Sequence, residues 1–163
     1  MESTTLAEIA EAADVPPGNV YYYFKTRDEL VRAVIDSRVD QVSTLLSSLD
    51  SRSTPQARLK GLAHAWADSA EQAAAHGCPI GSLCSELNKG SDGLDRDAAT
   101  LFSMMLDWAE AQFREMGLSR PRDLAVALIS GIQGAALLAN TFRDPRILSK
   151  EARRLERWVD SLV

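Results

Sequence analysis

The chain has 163 residues, of which 45% are hydrophobic and 25% are charged, and it contains 23 alanines and 20 leucines. These proportions exclude a disordered or collagen-like chain, favour helices over strands, and fit one compact domain or one compact unit with a small appendage. The net charge is −5, and residues 1–50 hold all of that excess, with nine acidic and four basic side chains. On charge alone, this first segment is not expected to bind nucleic acid.

A membrane or secreted location is not expected from this sequence. No apolar run is expected to approach about 18 residues, the length that spans a membrane. The chain begins Met1-Glu2-Ser3, without the basic and apolar stretches of a signal peptide, and its two cysteines do not form a disulfide framework. We therefore expect a cytoplasmic protein with no membrane partner.

Two capping boxes, each a Thr followed three residues later by a Glu, stand at Thr5 and Thr26. They predict the start of a short helix and of a much longer one, and a Pro-Pro-Gly turn between them predicts another short helix. The three predicted helices cover about residues 5–13, 17–23 and 27–49. This order is the outline of a helix-turn-helix, whose second short helix enters the major groove of DNA.

Five further helices are predicted after a polar linker at residues 51–54. They cover about residues 55–75, 77–88, 94–116, 121–142 and 148–162. The helix over 94–116 is apolar on two sides, which is typical of a helix surrounded by others. The last helix spaces its apolar residues 4, 3, 4 and 3 apart, which indicates packing along another helix. The sequence therefore predicts an all-α fold.

Residues 4–35, TTLAEIAEAADVPPGNVYYYFKTRDELVRAVI, closely resemble the DNA-binding segment of TetR-family transcriptional repressors. Residues 77–83, GCPIGSL, resemble the start of the sixth helix in one branch of that family. The resemblance implies a DNA-binding unit at residues 1–50 and a ligand-binding and dimerisation domain at residues 51–163. It implies a homodimer formed by the last two helices, which binds a double-stranded DNA operator and is released by a small hydrophobic or amphipathic effector.

The same resemblance assigns DNA contacts to short stretches of the motif. The residues are Thr4, Thr5, Pro17, Gly18, Asn19, Tyr21, Tyr22 and Lys25. Thr4 or Thr5 is expected at one phosphate and Lys25 at another, while Tyr23 is expected to be largely packed. Pro17 stands where many family members carry Lys, which removes one cationic contact.

The family also has a helix before the residue that matches Thr4, and the chain as given begins at Met1. We expect that this first helix is lacking, and that an apolar patch of Ile9, Ala13, Val20 and Phe24 is left without a packing partner. We also expect this chain to bind DNA weakly or not at all. Acidity alone does not exclude DNA binding, because several of the acidic residues stand at helix starts or well down the long helix.

Seven residues are candidates for contact with the effector: His64, Trp66, Phe102, Met105, Trp108, Phe113 and Gln133. Each has an alternative interpretation as ordinary core or as a dimer contact. Cys78 stands at a helix start, and Cys78 and Cys84 form either a redox or electrophile sensor or two inert buried thiols. With His64 and His76 they lack the spacing of a zinc site.

The sequence contains no nucleophile elbow, phosphate-binding loop or paired-carboxylate motif, so neither an enzyme nor a cofactor is expected. The competing class is a helical ligand-binding or cysteine-based redox-sensing protein without DNA binding. A catalytic helical bundle is a third interpretation, which measurable turnover would be needed to support.

Overall fold

The computed structural model describes residues 4–89 and 93–163, and these residues form nine α-helices with no strand among them. The expected all-α class is confirmed. The helices are α1 (Leu6–Ala12), α2 (Pro17–Tyr23), α3 (Arg27–Asp50), α4 (Pro55–Asp68), α5 (Ala70–His76), α6 (Pro79–Leu87), α7 (Leu94–Glu115), α8 (Pro121–Phe142) and α9 (Pro145–Asp160).

Threonine caps fix the starts of α1 and α3, as the sequence predicts. The Thr5 hydroxyl accepts the Glu8 N–H at 3.2 Å, and the Glu8 carboxylate accepts the Thr5 N–H at 2.7 Å. The Thr26 hydroxyl accepts the Glu29 N–H at 3.2 Å, but the Glu29 carboxylate accepts the N–H of Lys25 rather than that of Thr26. Glu29 therefore connects the end of α2 to the start of α3.

Two predicted helix boundaries are wrong. The single helix expected over 55–75 is interrupted at Ser69, whose φ and ψ of −96° and 12° leave helical geometry and whose hydroxyl donates to the Ala65 carbonyl at 3.3 Å. Such a bond from a serine side chain to the preceding turn competes with the helix. The last helix begins at Pro145, not at 148, because the Asp144 carboxylate accepts the Arg146 N–H at 3.0 Å and caps it.

The central position expected for the helix after residue 93 is confirmed, since α7 packs against α3, α4, α6 and α8. Its buried residues are Leu94, Ala98, Leu101, Met105, Ala109, Gln112 and Phe113. Gln112 is the buried polar member. Its amide accepts a hydrogen bond from the Arg58 guanidinium at 3.1 Å and donates to the Trp108 carbonyl at 3.4 Å. A paired amide of this kind is tolerated in a core.

The apolar seam of α9 is also confirmed, because Leu148, Ala152, Leu155 and Val159 are all buried. The seam faces α4 and α8, the main partners of α9. A Cβ at Gly131 of α8 would lie 3.0 Å from a Glu151 carboxylate oxygen of α9, so glycine permits close approach of these two helices.

Within the described residues, α8 is long and apolar enough to cross a membrane by length and composition, with a mean hydropathy of 1.6 over an 18-residue window. The expectation that no such run exists was wrong, since residues 124–142 carry no charged side chain. The core helix of a soluble protein passes the same test. Here α8 packs against α5, α7 and α9.

We predict that Phe113→Ala destabilises the protein strongly, because the Phe113 ring is fully buried and meets the Trp158 ring edge-on at a centroid distance of 5.9 Å. Loss of such a side chain costs about 3–5 kcal/mol. Tyr22→Ala is the control, because Tyr22 is 75% exposed. Urea unfolding measures both variants, and a Phe113→Ala midpoint equal to that of Tyr22→Ala contradicts the prediction.

Candidate functional site

The exposed face of α2 holds most of the residues expected to read DNA. None of the seven residues of α2 is buried. Asp14 adopts the left-handed conformation with φ of 53° between α1 and α2, and the Val15 N–H donates to the Ala10 carbonyl at 3.0 Å. This tight turn holds the two short helices against each other. All eight residues of the predicted set, from Thr4 to Lys25, are exposed.

Gly18 is the glycine of this face. A Cβ built at Gly18 meets nothing within 4 Å, so the packing of this chain does not itself require glycine there. The missing side chain leaves the backbone of α2 accessible to a partner. Asn19 follows on the same short helix, and its N–H donates to the Pro16 carbonyl at 2.9 Å.

The three tyrosines of α2 differ from the expectation in one position. Tyr21 is 46% exposed and Tyr22 is 75% exposed, as predicted, but Tyr23 is 73% exposed rather than packed. The Tyr23 ring meets Tyr22 edge-on at a centroid distance of 5.0 Å. Tyr23 is the last residue of α2, and the backbone turns to an extended conformation at Phe24, so the core does not enclose its ring.

Lys25 caps the end of α2. Its ammonium donates to the carbonyls of Tyr21 at 2.7 Å and Tyr22 at 3.3 Å, which are left unpaired where the helix stops. An ammonium has three N–H donors, so one donor remains for a phosphate. Capping and phosphate contact are therefore compatible for Lys25.

Thr5 is less free to meet a phosphate. Its N–H and its hydroxyl both donate to the Glu8 carboxylate, at 2.7 and 2.9 Å. A phosphate contact at Thr5 requires these bonds to be exchanged next to a negative charge. Of the residues in the expected apolar patch, Ile9, Val20 and Phe24 are half-buried and Ala13 is exposed, so the patch stays a prediction.

The seven candidate ligand residues do not line one common cavity. Met105 and Phe113 are fully buried core, and the Trp108 indole N–H donates to the Asp50 carboxylate at 2.8 Å. The His64 side chain is 62% exposed and lies 3.3 Å from Glu156 and 3.6 Å from Asp68. His64 therefore faces outward from α4 on the side of these two carboxylates, and its contact with an effector stays a prediction.

The remaining three candidates border two different cavities. Phe102 and Gln133 line a cavity of about 780 Å³ between α6, α7 and α8, which we name the α7 cleft. Trp66 lines a cavity of about 510 Å³ between α3, α4 and the junction of α5 with α6, which we name the α3 cleft. Both volumes are in the range of small-molecule sites.

The two cysteines are free, and both line the α7 cleft. The Cys78 sulfur accepts the Gly81 N–H at 3.5 Å, and the Cys84 thiol donates to the Ala98 carbonyl at 3.4 Å. Burial raises the pKa of the Cys84 thiol, which lowers its thiolate fraction and its reactivity. No group of three or more metal-ligating side chains occurs among the residues that the structure describes.

An exposed short helix after a tight turn, joined by the long α3 to a larger helical domain, defines a helix-turn-helix regulator. Residues 55–154 match the family described as "Transcriptional regulator LmrA/YxaF-like, C-terminal domain", and residues 1–34 match "Bacterial regulatory proteins, tetR family". The chain belongs to the TetR family of DNA-binding transcriptional regulators.

Individual proteins give the same assignment. The chain is 31% identical over 151 residues to an uncharacterized HTH-type transcriptional regulator in the lacX 3' region of Lactococcus lactis subsp. lactis, covering 89% of this chain and 77% of that protein. A regulatory protein TetR from Rhodobacter sphaeroides superposes with a TM-score of 0.79 at 28% identity, covering 94% of this chain and 87% of that one. A TetR transcriptional regulator from Legionella pneumophila shares the fold, with a TM-score of 0.81 at 19% identity over 99% of this chain and 87% of that one.

We predict a pH-dependent start of α1, because the hydrogen bonds from Thr5 lower the pKa of the Glu8 carboxyl from its ordinary value. A lowered folded pKa stabilises α1 fully above the ordinary value, and this stabilisation is lost as the pH falls through the lowered one. NMR titration of the Glu8 carboxyl carbon measures it, with the urea-unfolded chain as the control. Equal midpoints in the folded and unfolded chains contradict the prediction.

Proposed function

We propose that the protein is a homodimeric repressor that binds operator DNA through α2 and leaves it when a small hydrophobic or amphipathic effector binds the helical domain. In this proposal residues 1–50 form the DNA-binding unit, and residues 51–163 form the ligand-binding and dimerisation unit. The observation that carries the proposal is the exposed face of α2, where Asn19, Tyr21 and Tyr22 project from a helix without a single buried residue.

The chemistry of this face suits a DNA groove. The Asn19 amide is a donor and an acceptor, the combination that pairs with adenine in the major groove. The tyrosine hydroxyls reach phosphate or base edges, and Lys25 adds a charge at the end of the helix. Among residues 4–27, Lys25 and Arg27 are the basic side chains. Few phosphates are therefore neutralised by each DNA-binding unit.

The α8 helix supports a dimer formed by the last two helices. Four large apolar residues of α8 are exposed: Val126 at 44%, Leu137 at 66%, Leu138 at 48% and Phe142 at 67%. Leu138 and Phe142, four residues apart, share one side of α8, and exposed apolar residues of this kind are typical of an interface. Between α8 and α9 lies a groove of about 860 Å³, whose floor includes Gly134 and Leu138. A two-fold dimer on this face presents two copies of α2 to successive turns of DNA.

We predict a shallow salt dependence of operator binding. Two cations in each unit give four neutralised phosphates in the dimer, and each contributes roughly 0.9 to the slope of log K against log salt, so the slope is about −4. Fluorescence anisotropy with the DNA that flanks the gene of this protein measures it. Lys25→Gln is expected to bring the slope to about −2, because each unit loses one phosphate contact.

Lys89→Gln is the matched control, since Lys89 lies beyond α6 and pairs with Glu86 at 2.6 Å. It is expected to leave the slope at the wild-type value. A variant that is only misfolded loses affinity at every salt concentration. If Lys25→Gln has an unchanged slope, Lys25 does not contact phosphate.

We predict that Leu138→Glu separates the dimer, because it places a desolvated charge in the apolar face of α8. Analytical ultracentrifugation is expected to give about twice the chain mass of 17.8 kDa for the wild type and the single mass for the variant. Ser47→Glu adds the same charge to an exposed position of α3 and is expected to stay dimeric. If Leu138→Glu stays dimeric and unfolds at the same temperature as the wild type, α8 is not part of the interface.

A further inference from the structure

The α3 cleft and the α7 cleft meet at the junction of α5 and α6. Gly77 and Cys78, at the junction of α5 and α6, border both cavities. Gly77 ends α5 with φ of 82°, in the left-handed region that favours glycine. The two cavities are therefore neighbours that share these two residues, and the charges in the rest of their linings can be compared directly.

The lining of the α3 cleft combines apolar side chains with one guanidinium, the imidazole of His76 and a few uncharged polar side chains. Apolar walls come from Val42 and Leu45 on α3, Trp66 on α4 and Ile80 on α6. Arg38 lines the same cavity, and neither Asp nor Glu is among its lining residues. The Arg38 guanidinium donates to the Gln41 side-chain oxygen at 2.7 Å, and among the described residues it has no ion pair. Arginine stays charged and has five N–H donors, so most of its donors remain for an anion.

The lining of the α7 cleft has the opposite character. It contains Glu86 and Asp95 and no Arg, Lys or His. The Asn140 amide, which also lines it, already donates to the Ala74 carbonyl at 3.0 Å. An anionic ligand meets Asp95 and a Glu86 carboxylate paired with Lys89 at 2.6 Å in this cavity, whereas in the α3 cleft it meets a guanidinium. Charge therefore separates the two cavities by the ligands that they accept.

Of the two clefts, the α3 cleft is the one lined by residues of the proposed DNA-binding unit. Arg38, Val42 and Leu45 lie on α3, the helix that begins four residues after α2 ends and continues without a break to Asp50. A ligand shifts a conformational equilibrium only through contacts that differ between the two states. A molecule seated between α3 and α4 contacts the element that carries α2, whereas the lining of the α7 cleft includes no residue of α3.

We propose that the α3 cleft is the effector site and that it takes a flat apolar molecule with one anionic group, carboxylate or sulfonate, held by Arg38. The ring system lies against Trp66 and the aliphatic walls, and the anion pairs with the guanidinium. The effector role in this inference rests on the proposed function. The ligand class itself rests on the lining of the cavity.

Two fluorescent probes with the same aromatic skeleton test the proposal. 1-Anilinonaphthalene-8-sulfonate has an anionic group, and N-phenyl-1-naphthylamine is the same skeleton without it. Wild-type protein is expected to bind both. Arg38→Gln is expected to weaken binding of the sulfonate at least tenfold and to change binding of the neutral probe less than twofold, because only the charge contact is lost.

Arg153→Gln is the matched control. Arg153 lines the groove between α8 and α9 together with Lys150, Arg154 and Arg157, and an anion could bind there as well. The control variant is expected to bind both probes as the wild type does. The proposal is overturned if Arg38→Gln binds the sulfonate normally, or if Arg153→Gln is the variant that loses it. Equal weakening of both probes by Arg38→Gln also overturns it, since that indicates a lost cavity and not a lost charge contact.

DNA affinity of the same proteins is measured separately, with and without the sulfonate. Weaker DNA binding in its presence, lost in Arg38→Gln, supports the effector role. Absence of DNA binding in every sample counts against the proposed function and leaves the probe result standing. Normal DNA binding that the bound sulfonate does not change overturns the α3 cleft as the effector site.

Discussion

Burial of α7 is the constraint on which the rest of the structure depends. Leu101, Met105 and Phe113 are fully buried along one helix that meets α3, α4, α6 and α8. Fully burying such side chains contributes about 1.5–3 kcal/mol each, far more than an exposed ion pair. The positions of the cavities and of the DNA-binding unit are therefore set relative to α7, and polar contacts refine them.

Two polar contacts join α3 to this central helix at widely separated points. The Trp108 indole donates to Asp50 at the end of α3, and the Arg32 guanidinium lies 3.3 Å from Asp97 nearer its start. The second pair is about half exposed, so it adds little stability. Its position matters more, because it ties the half of α3 nearest to α2 to the larger domain. Ile35, buried between these points, supplies the apolar part of the same contact.

The fold was largely predictable because its signals are local. Thr5 and Thr26 mark helix starts by hydrogen bonds that span three residues, and the α9 seam shows in its spacing. The ligand residues were harder to predict. Periodicity identifies the face of a helix that is buried, but it does not separate Phe113 in the core from Phe102 at a cavity wall. His64, Tyr23 and the interruption at Ser69 depend on neighbours distant in sequence or on one side-chain rotamer. Arg38, which lines the α3 cleft, was not singled out because a single arginine on an amphipathic helix resembles a solvated residue.

Gly77 and Cys78 line both the α3 cleft and the α7 cleft, and this affects how ligands bound in the two clefts interact. Occupants of the two cavities need not overlap to influence each other, since Gly77 and Cys78 line both cavities. Such linkage is reciprocal: whatever penalty the first occupant imposes on the second, the second imposes on the first. If two compounds displaced each other, the cause would then be coupling between two neighbouring sites and not competition for one site. A neutral compound bound in the α7 cleft would then change the affinity of the α3 cleft for an acidic compound.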